Sequence, residues 1–158
     1  MNTKSKGLMC HSMAKRHTCK EMKKMHEISN KGNKNMSIDE FYRYRTKCGE
    51  LQCHRLNMPD GTAGELILNL PGNEKALTIE EVFVDRKFRH MGLGSKLLAF
   101  AEQIAIAYGF RNVELKPFST DPLVPDHKLR EWYLERGYQP HGEKMHKRIN
   151  EEISEVMT

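Results

Sequence analysis

Between residues 82 and 98 the chain reads VFVDRKFRHMGLGSKLL, and there its hydrophobic rhythm changes. Upstream, short runs alternate apolar and polar residues, the period of strands. Downstream, Leu93, Leu97, Phe100, Ala101, Ile104 and Tyr108 recur at helical spacing, and Gly109 follows where a C′ glycine belongs. A chain that honours both periods must run strand, tight turn, helix, with two glycines at the mouth of the helix. Gly92 and Gly94 carry no Cβ, so a ligand can approach the main chain closely. The first turn of a helix leaves N–H groups unpaired and concentrates partial positive charge, which suits a phosphate. Arg86, Lys87 and Arg89 add charge beside it. The turn formed by Arg89, His90, Met91, Gly92, Leu93, Gly94 and Ser95 is therefore read as a pyrophosphate cradle. It is not a P-loop, because Gly94 is followed by Ser95 and Lys96 rather than by Lys-Ser/Thr. Nor is it a dinucleotide fingerprint, which needs a third glycine and an opening βαβ unit.

Before the turn, EFYRYRTKC alternates Tyr42, Tyr44 and Thr46 with Arg43 and Arg45, as a half-buried strand does. Ser37 and Glu40 also fit a capping box, so a helix competes there. ELQCHRLNM, AGELILNL and ALTIEEVFV are further strands. They are separated by Pro59-Asp60-Gly61 and Pro71-Gly72-Asn73, whose prolines and glycines supply turn dihedrals. Such short loops imply an antiparallel meander. After the helix, RNVELKP is a strand with Val113 and Leu115 on one side, and FSTDPLVP is an irregular loop. Asp126 is placed to cap a second helix running through Leu129, Trp132, Tyr133 and Arg136 to Gly137, and KMHKRI closes the sheet.

Two blocks carry a family resemblance. Arg89-His90-Met91-Gly92-Leu93-Gly94 resembles the R/Q-x-x-G-x-G/A motif of the GNAT acetyltransferase superfamily, and it lies between an apolar strand and a helix as in that family. DHKLREWYLERGY resembles the family's N-x-x-A-x-x-x-Y-x-x-x-G-F, with Asp126 in place of Asn and with Tyr133, Gly137 and Tyr138 in register. The resemblance is strong from about residue 76 to 149, reaches back to Phe41 and is absent over residues 1–36. It implies an α/β (α+β) fold, a mixed, mostly antiparallel central sheet flanked by helices, with acetyl-coenzyme A as cosubstrate. It also implies that the pantetheine arm pairs like an extra strand with the backbone of Val82, Phe83 and Val84, where that strand and the next splay apart. Relatives carry two helices between their first two strands. Only KCGE stands there in this chain, so the N-terminal half is shortened. The acceptor side is then open, or covered by the N-terminal arm or by a second subunit in a homodimer.

Acyl transfer to an amine needs a neutral nucleophile, and a lysine-like amine with pKa about 10.4 costs roughly 4–5 kcal/mol to deprotonate at pH 7. The resemblance makes Glu80 the first choice of base, on the cofactor strand where many relatives carry a glutamate. Glu81 points to the opposite face of a regular strand, and a bulge would exchange the two. His54, His141 and His146 are runners-up, otherwise solvated. Tyr133 matches the family tyrosine near the thiol and is the candidate acid for the departing thiolate. A main-chain N–H near Val82, Phe83 or Val84 is placed to face the oxyanion. Trp132 packs or lines the opening.

The net charge of +5 is uneven. Residues 1–36 hold nine lysines and arginines against two glutamates, a net of +7, which leaves residues 37–158 at −2. A basic arm (1–36) thus precedes an acetyltransferase-like domain (37–158), and it can engage nucleic acid or an acidic partner. Cys10, His11, His17 and Cys19 offer zinc-type donors, but without a CxxC pair they read as ordinary thiols and histidines, so no metal is expected. With no secretory signal and no apolar run near the roughly 18 residues of a membrane span, a cytoplasmic protein with reduced cysteines and no membrane contact is expected. Two functions compete, with a zinc-binding adaptor built on Cys10, His11, His17 and Cys19 as a third, weaker reading. One is an N-acetyltransferase acting on a primary amine, in a protein or a small molecule, with a protein or peptide acceptor slightly favoured. The other is a non-catalytic coenzyme A-binding module whose arm binds nucleic acid or an acidic partner.

Overall fold

The structure is a computed structural model that describes residues 35–73 and 75–149. Four strands, β1 (Ser37–Thr46), β2 (Gly49–Met58), β3 (Gly61–Pro71) and β4 (Ala76–Val84), form an antiparallel meander. Then come α1 (Leu93–Ala107), β5 (Asn112–Leu115), α2 (Asp126–Glu135), β6 (Gln139–His141) and β7 (Lys144–Arg148). The strands join one seven-stranded sheet in the order β1-β2-β3-β4-β5-β7-β6. Only β4 and β5 run parallel, because α1 carries the chain back across the sheet between them.

The helical reading of residues 37–47 does not survive. Ser37 and Glu40 lie in β1, where the Ser37 hydroxyl donates to Asp39 Oδ2 at 2.7 Å and Glu40 pairs with Arg43. Nine register partners on β2 outweigh one capping box, since the ladder satisfies the backbone groups that face β2 along nearly the whole strand. β1 is less buried than its alternation suggested, because it is the edge strand: Tyr42 and Tyr44 are 49% and 54% exposed. Lys47 and Cys48 alone turn β1 into β2, so among the described residues no helix stands between the first two strands.

α1 covers one face of the meander. Leu97, Ala101 and Ile104 are fully buried against Leu66 and Leu68 of β3, and each leucine or isoleucine buried so contributes roughly 2 kcal/mol. Gly64 lets the helix approach, since a Cβ there would meet Leu97 Cδ1 at 3.2 Å and the Phe83 carbonyl oxygen at 2.6 Å. His54 lies on this face and is 1% exposed, edge-on to Phe100 and hydrogen-bonded to Gln52 Oε1 at 2.9 Å. It is a core histidine rather than a solvated one, and it does not line the open cleft beside β4. Val113 and Leu115 of β5 are buried together as their alternation predicted. The three-residue β6 carried no periodic signal of its own and forms by pairing with β7. No helix of the described residues is long and apolar enough to cross a membrane.

Candidate active site: a cleft where two strands part

β4 and β5 pair from Ala76 with Asn112 to Ile79 with Leu115, and there the pairing stops. Beyond it, β4 runs on to Val84 with β3 on one side and an open cleft of about 1120 Å³ on the other. Val82, Phe83, Val84, Arg89, His90, Gly92, Leu93, Gly94 and Ser95 all line this cleft, as do Glu80, Glu81 and Tyr133. Met91 does not line it and is 54% exposed.

The turn into α1 has two left-handed residues. Gly92 has φ 75°, and His90 has φ 63°, which costs a non-glycine residue on the order of 1 kcal/mol. Such alternation turns successive N–H groups to one side, the geometry of an anion nest. Gly92 is the N-cap of α1 and no side chain caps the helix, so the first amides keep their donors free of side-chain partners. The two glycines serve different needs. Nothing lies within 4 Å of a Cβ built on Gly92, whose requirement is its backbone angle. A Cβ on Gly94 would stand 3.3 Å from the Trp132 indole, so its requirement is packing against α2.

Two of the cradle's side chains are already engaged. Arg89 donates from Nε to the Val84 carbonyl at 3.1 Å and from Nη1 to Asp121 Oδ2 at 2.6 Å. Arg86 meets the same carboxylate at 2.9 Å. The Leu123 backbone N–H, Arg89 and Arg86 together hold the Asp121 carboxyl well below the usual carboxylate range. Ser95 Oγ accepts from Arg136 Nη2 at 2.8 Å, and the Arg136 guanidinium stacks on Trp132 at 3.7 Å. Asp121 and Arg136 were invisible to sequence reasoning. One lies in an aperiodic loop and the other at a helix end, and the contact that ties each to the cradle is with a partner more than 30 residues away.

β4 carries a bulge. Ile67 faces Glu81 while Leu68 faces Ile79, so Glu80 is the extra residue. Glu80 accepts from Asn69 Nδ2 at 3.3 Å, and Glu81 lies across from Ile67. Asn69 and Ile67 alternate with the buried Leu68 and Leu70, so both carboxylates share the sheet face turned away from α1. The expectation that the two glutamates point to opposite faces is thereby corrected, because a bulge places two consecutive residues against one.

Tyr133 is 5% exposed, edge-on to Trp132 and Tyr138. Burial pushes its phenol up to about 12, with the Arg136 charge opposing. Asp126 is the first residue of α2 and not its cap: Pro125 holds that position, and the Asp126 carboxylate instead accepts from the Ser119 N–H at 3.0 Å. His141 and His146 meet edge-to-face on β6 and β7 and do not line the cleft. Cys10, His11, His17 and Cys19 lie outside the described residues.

Comparison with known proteins agrees with this architecture. The model of the Acetyltransferase (GNAT) family matches residues 24–138. Among solved structures, AtaTR bound with AcCoA is similar over 79% of this chain and 99% of that chain, with a TM-score of 0.55 and 17% identity. Nourseothricin acetyltransferase is similar over 63% of this chain and 66% of its own, with a TM-score of 0.52 and 17% identity. A GNAT-family acetyltransferase from Staphylococcus aureus is similar over 63% and 68%, with a TM-score of 0.51 and 14% identity. These likenesses concern the fold. No curated protein sequence matches the chain.

Proposed function

The chain belongs to the GNAT family of acetyltransferases, and from that premise we propose that it moves an acetyl group from acetyl-coenzyme A to a primary amine by direct attack. The observation that carries the reading is the parting of β4 from β5 beside the left-handed turn. It leaves β4 without a strand partner along Val82, Phe83 and Val84, where the amides of a pantetheine arm can pair beside the Val84 carbonyl held by Arg89, and it leaves uncapped helix amides from Leu93 onward for its diphosphate. Arg89 and Arg136 supply positive charge beside those amides while each keeps its protein partner. One solved structure of the same fold is described with AcCoA bound. When bound, the thioester supplies an activated acyl carbon.

This chain's own residues then have three tasks. Glu80 and Glu81, on one face at the bulge, take up the proton of the incoming ammonium directly or through water. An amide N–H of the bared β4 edge stabilises the oxyanion. Tyr133, protonated across the physiological range, donates to the leaving sulfur. The acceptor enters across the face that lacks the two helices expected of relatives, which favours a protein or peptide amine over a small metabolite.

A thiol-release assay over small amines and lysine peptides tests the reading. Release that depends on both acetyl-coenzyme A and an amine is the expected result. Tight cofactor binding with no amine-dependent release would replace it with the non-catalytic module.

A further inference from the structure

The face of β1–β4 turned away from α1 has no described helix over it: Tyr42, Tyr44 and Phe83 on it are 49%, 54% and 40% exposed. Its charge is one-sided. Asp39, Glu65, Glu80 and Glu81 lie on this face with Arg55 as the cation among them, as the strand register requires. Arg55 is itself held over the Phe41 ring at 3.4 Å, and its Nε lies 3.8 Å from Glu65. Four carboxylates against one guanidinium leave the face at −3. The two glutamates proposed to receive the acceptor's proton lie at its inner edge, where the cleft opens.

The same chain carries a complementary segment. Residues 1–34 hold nine lysines and arginines against two glutamates, a net of +7, and five methionines at positions 1, 9, 13, 22 and 25. The segment leads directly into β1, the outer strand of this face. We propose that residues 1–34 dock on this face and that lysines within them are acetylated in cis, so that the enzyme's first acceptor is its own arm. The inference rests on the acetyltransferase reading above and adds the acceptor to it.

Reach selects the lysines. Glu81 aligns through Ile67 and Cys53 with Tyr42 of β1, three strand spacings across and five residues along from Ser37. That separation is about 22 Å, from about 4.8 Å per strand and about 3.3 Å per residue. A coil of about 13–19 residues has a matching r.m.s. span. Counted back from Ser37, that length ends at Lys20, Lys23 and Lys24. Lys31 and Lys34, six and three residues before Ser37, fall short of that length. A tether of matching span holds its amine at an effective concentration in the millimolar range, without any new contact.

The step balances. The neutral lysine Nζ attacks the thioester carbonyl carbon, the amide C–N bond forms and the C–S bond breaks. The nitrogen's surplus proton passes to Glu80, Glu81 or water, and the sulfur leaves as the thiol with a proton from Tyr133. Each transfer removes one positive charge from the arm, so docking weakens as acetylation proceeds.

The test incubates the full chain with acetyl-coenzyme A and follows it by intact mass and peptide mapping, with small-amine thiol release measured on the same preparation. Acetylation at Lys20, Lys23 and Lys24 is expected, with a first-order rate unchanged over a roughly hundredfold range of protein concentration. Raised salt should slow it, since the attraction is between exposed charges. A chain with Lys20, Lys23 and Lys24 replaced by arginine keeps the arm's charge. It should lose this modification and retain small-amine activity. A rate proportional to protein concentration would put the arm on a second copy and overturn the cis assignment. Small-amine turnover with unmodified arm lysines would overturn this inference alone. No release with any amine would overturn the parent reading and this one with it.

Discussion

Tyr133 combines burial, contact with the cleft and a phenol pushed up to about 12. It therefore stays protonated through the range in which an enzyme is assayed, and its ionisation should not shape the pH–rate profile below about pH 11. Tyr133→Phe keeps the ring against Trp132 and Tyr138 and removes only the proton. We expect turnover to fall by about 10²-fold with the coenzyme A dissociation constant unchanged by calorimetry; an unaltered rate would take Tyr133 out of the chemistry. Gly92 and Gly94 should separate in their effects. At φ 75° an alanine at position 92 is strained by about 1–2 kcal/mol although space is free around it, so Gly92→Ala should lower both Tm and cofactor affinity. Gly94→Ala meets the Trp132 indole at 3.3 Å, and a ring able to shift by a few tenths of an ångström absorbs it, so its effect should be the smaller.

At the scale of elements, the cleft depends on how α2 is tied to the first turn of α1. Arg136 is the tie: it donates to Ser95 Oγ and to the Trp132 carbonyl, and lies flat on the Trp132 ring. Arg136→Ala should cost about 2 kcal/mol in denaturant unfolding, the usual worth of hydrogen bonds to a charged group, and weaken coenzyme A binding more than Arg136→Lys does. The loop before α2 has a second tie in Asp121, whose carboxylate bridges Arg86 and Arg89 and caps the Leu123 amide. Asp121→Ala should speed hydrogen exchange at Leu123 without changing protection in α1.

For the whole molecule, alkaline stability follows from buried phenols. Burial raises Tyr133 to about 12 and raises Tyr138 further, while an unfolded tyrosine titrates near 10. Burial likewise raises the Cys53 thiol to about 11, so from about pH 9 to 12 the native state holds more protons than the unfolded one and stability falls as pH rises through that window. Thermal unfolding across pH 8–12 should show a Tm that begins to decline near pH 9, where Cys53 enters, and falls more steeply above pH 10, where the tyrosines join. The sequence by itself settled the second, third and fourth strands of the meander, the turn and the reach of α1 to Gly109, because each is a local matter of period, turn residue and dihedral preference. Val113 and Leu115 were assigned to one buried face on the same grounds. Tertiary structure alone decided the rest. Whether β1 was helix or strand depended on a neighbour able to pair with all of it. Glu80 and Glu81 share a face because β4 must skip one residue to keep pairing with β3. Arg136 and Asp121 acquired their roles from partners 41 and 32 residues away. Periodicity reports how a segment relates to its own next turn; long-range contacts and register are set by the energies of elements meeting in space, which no local stretch of sequence contains.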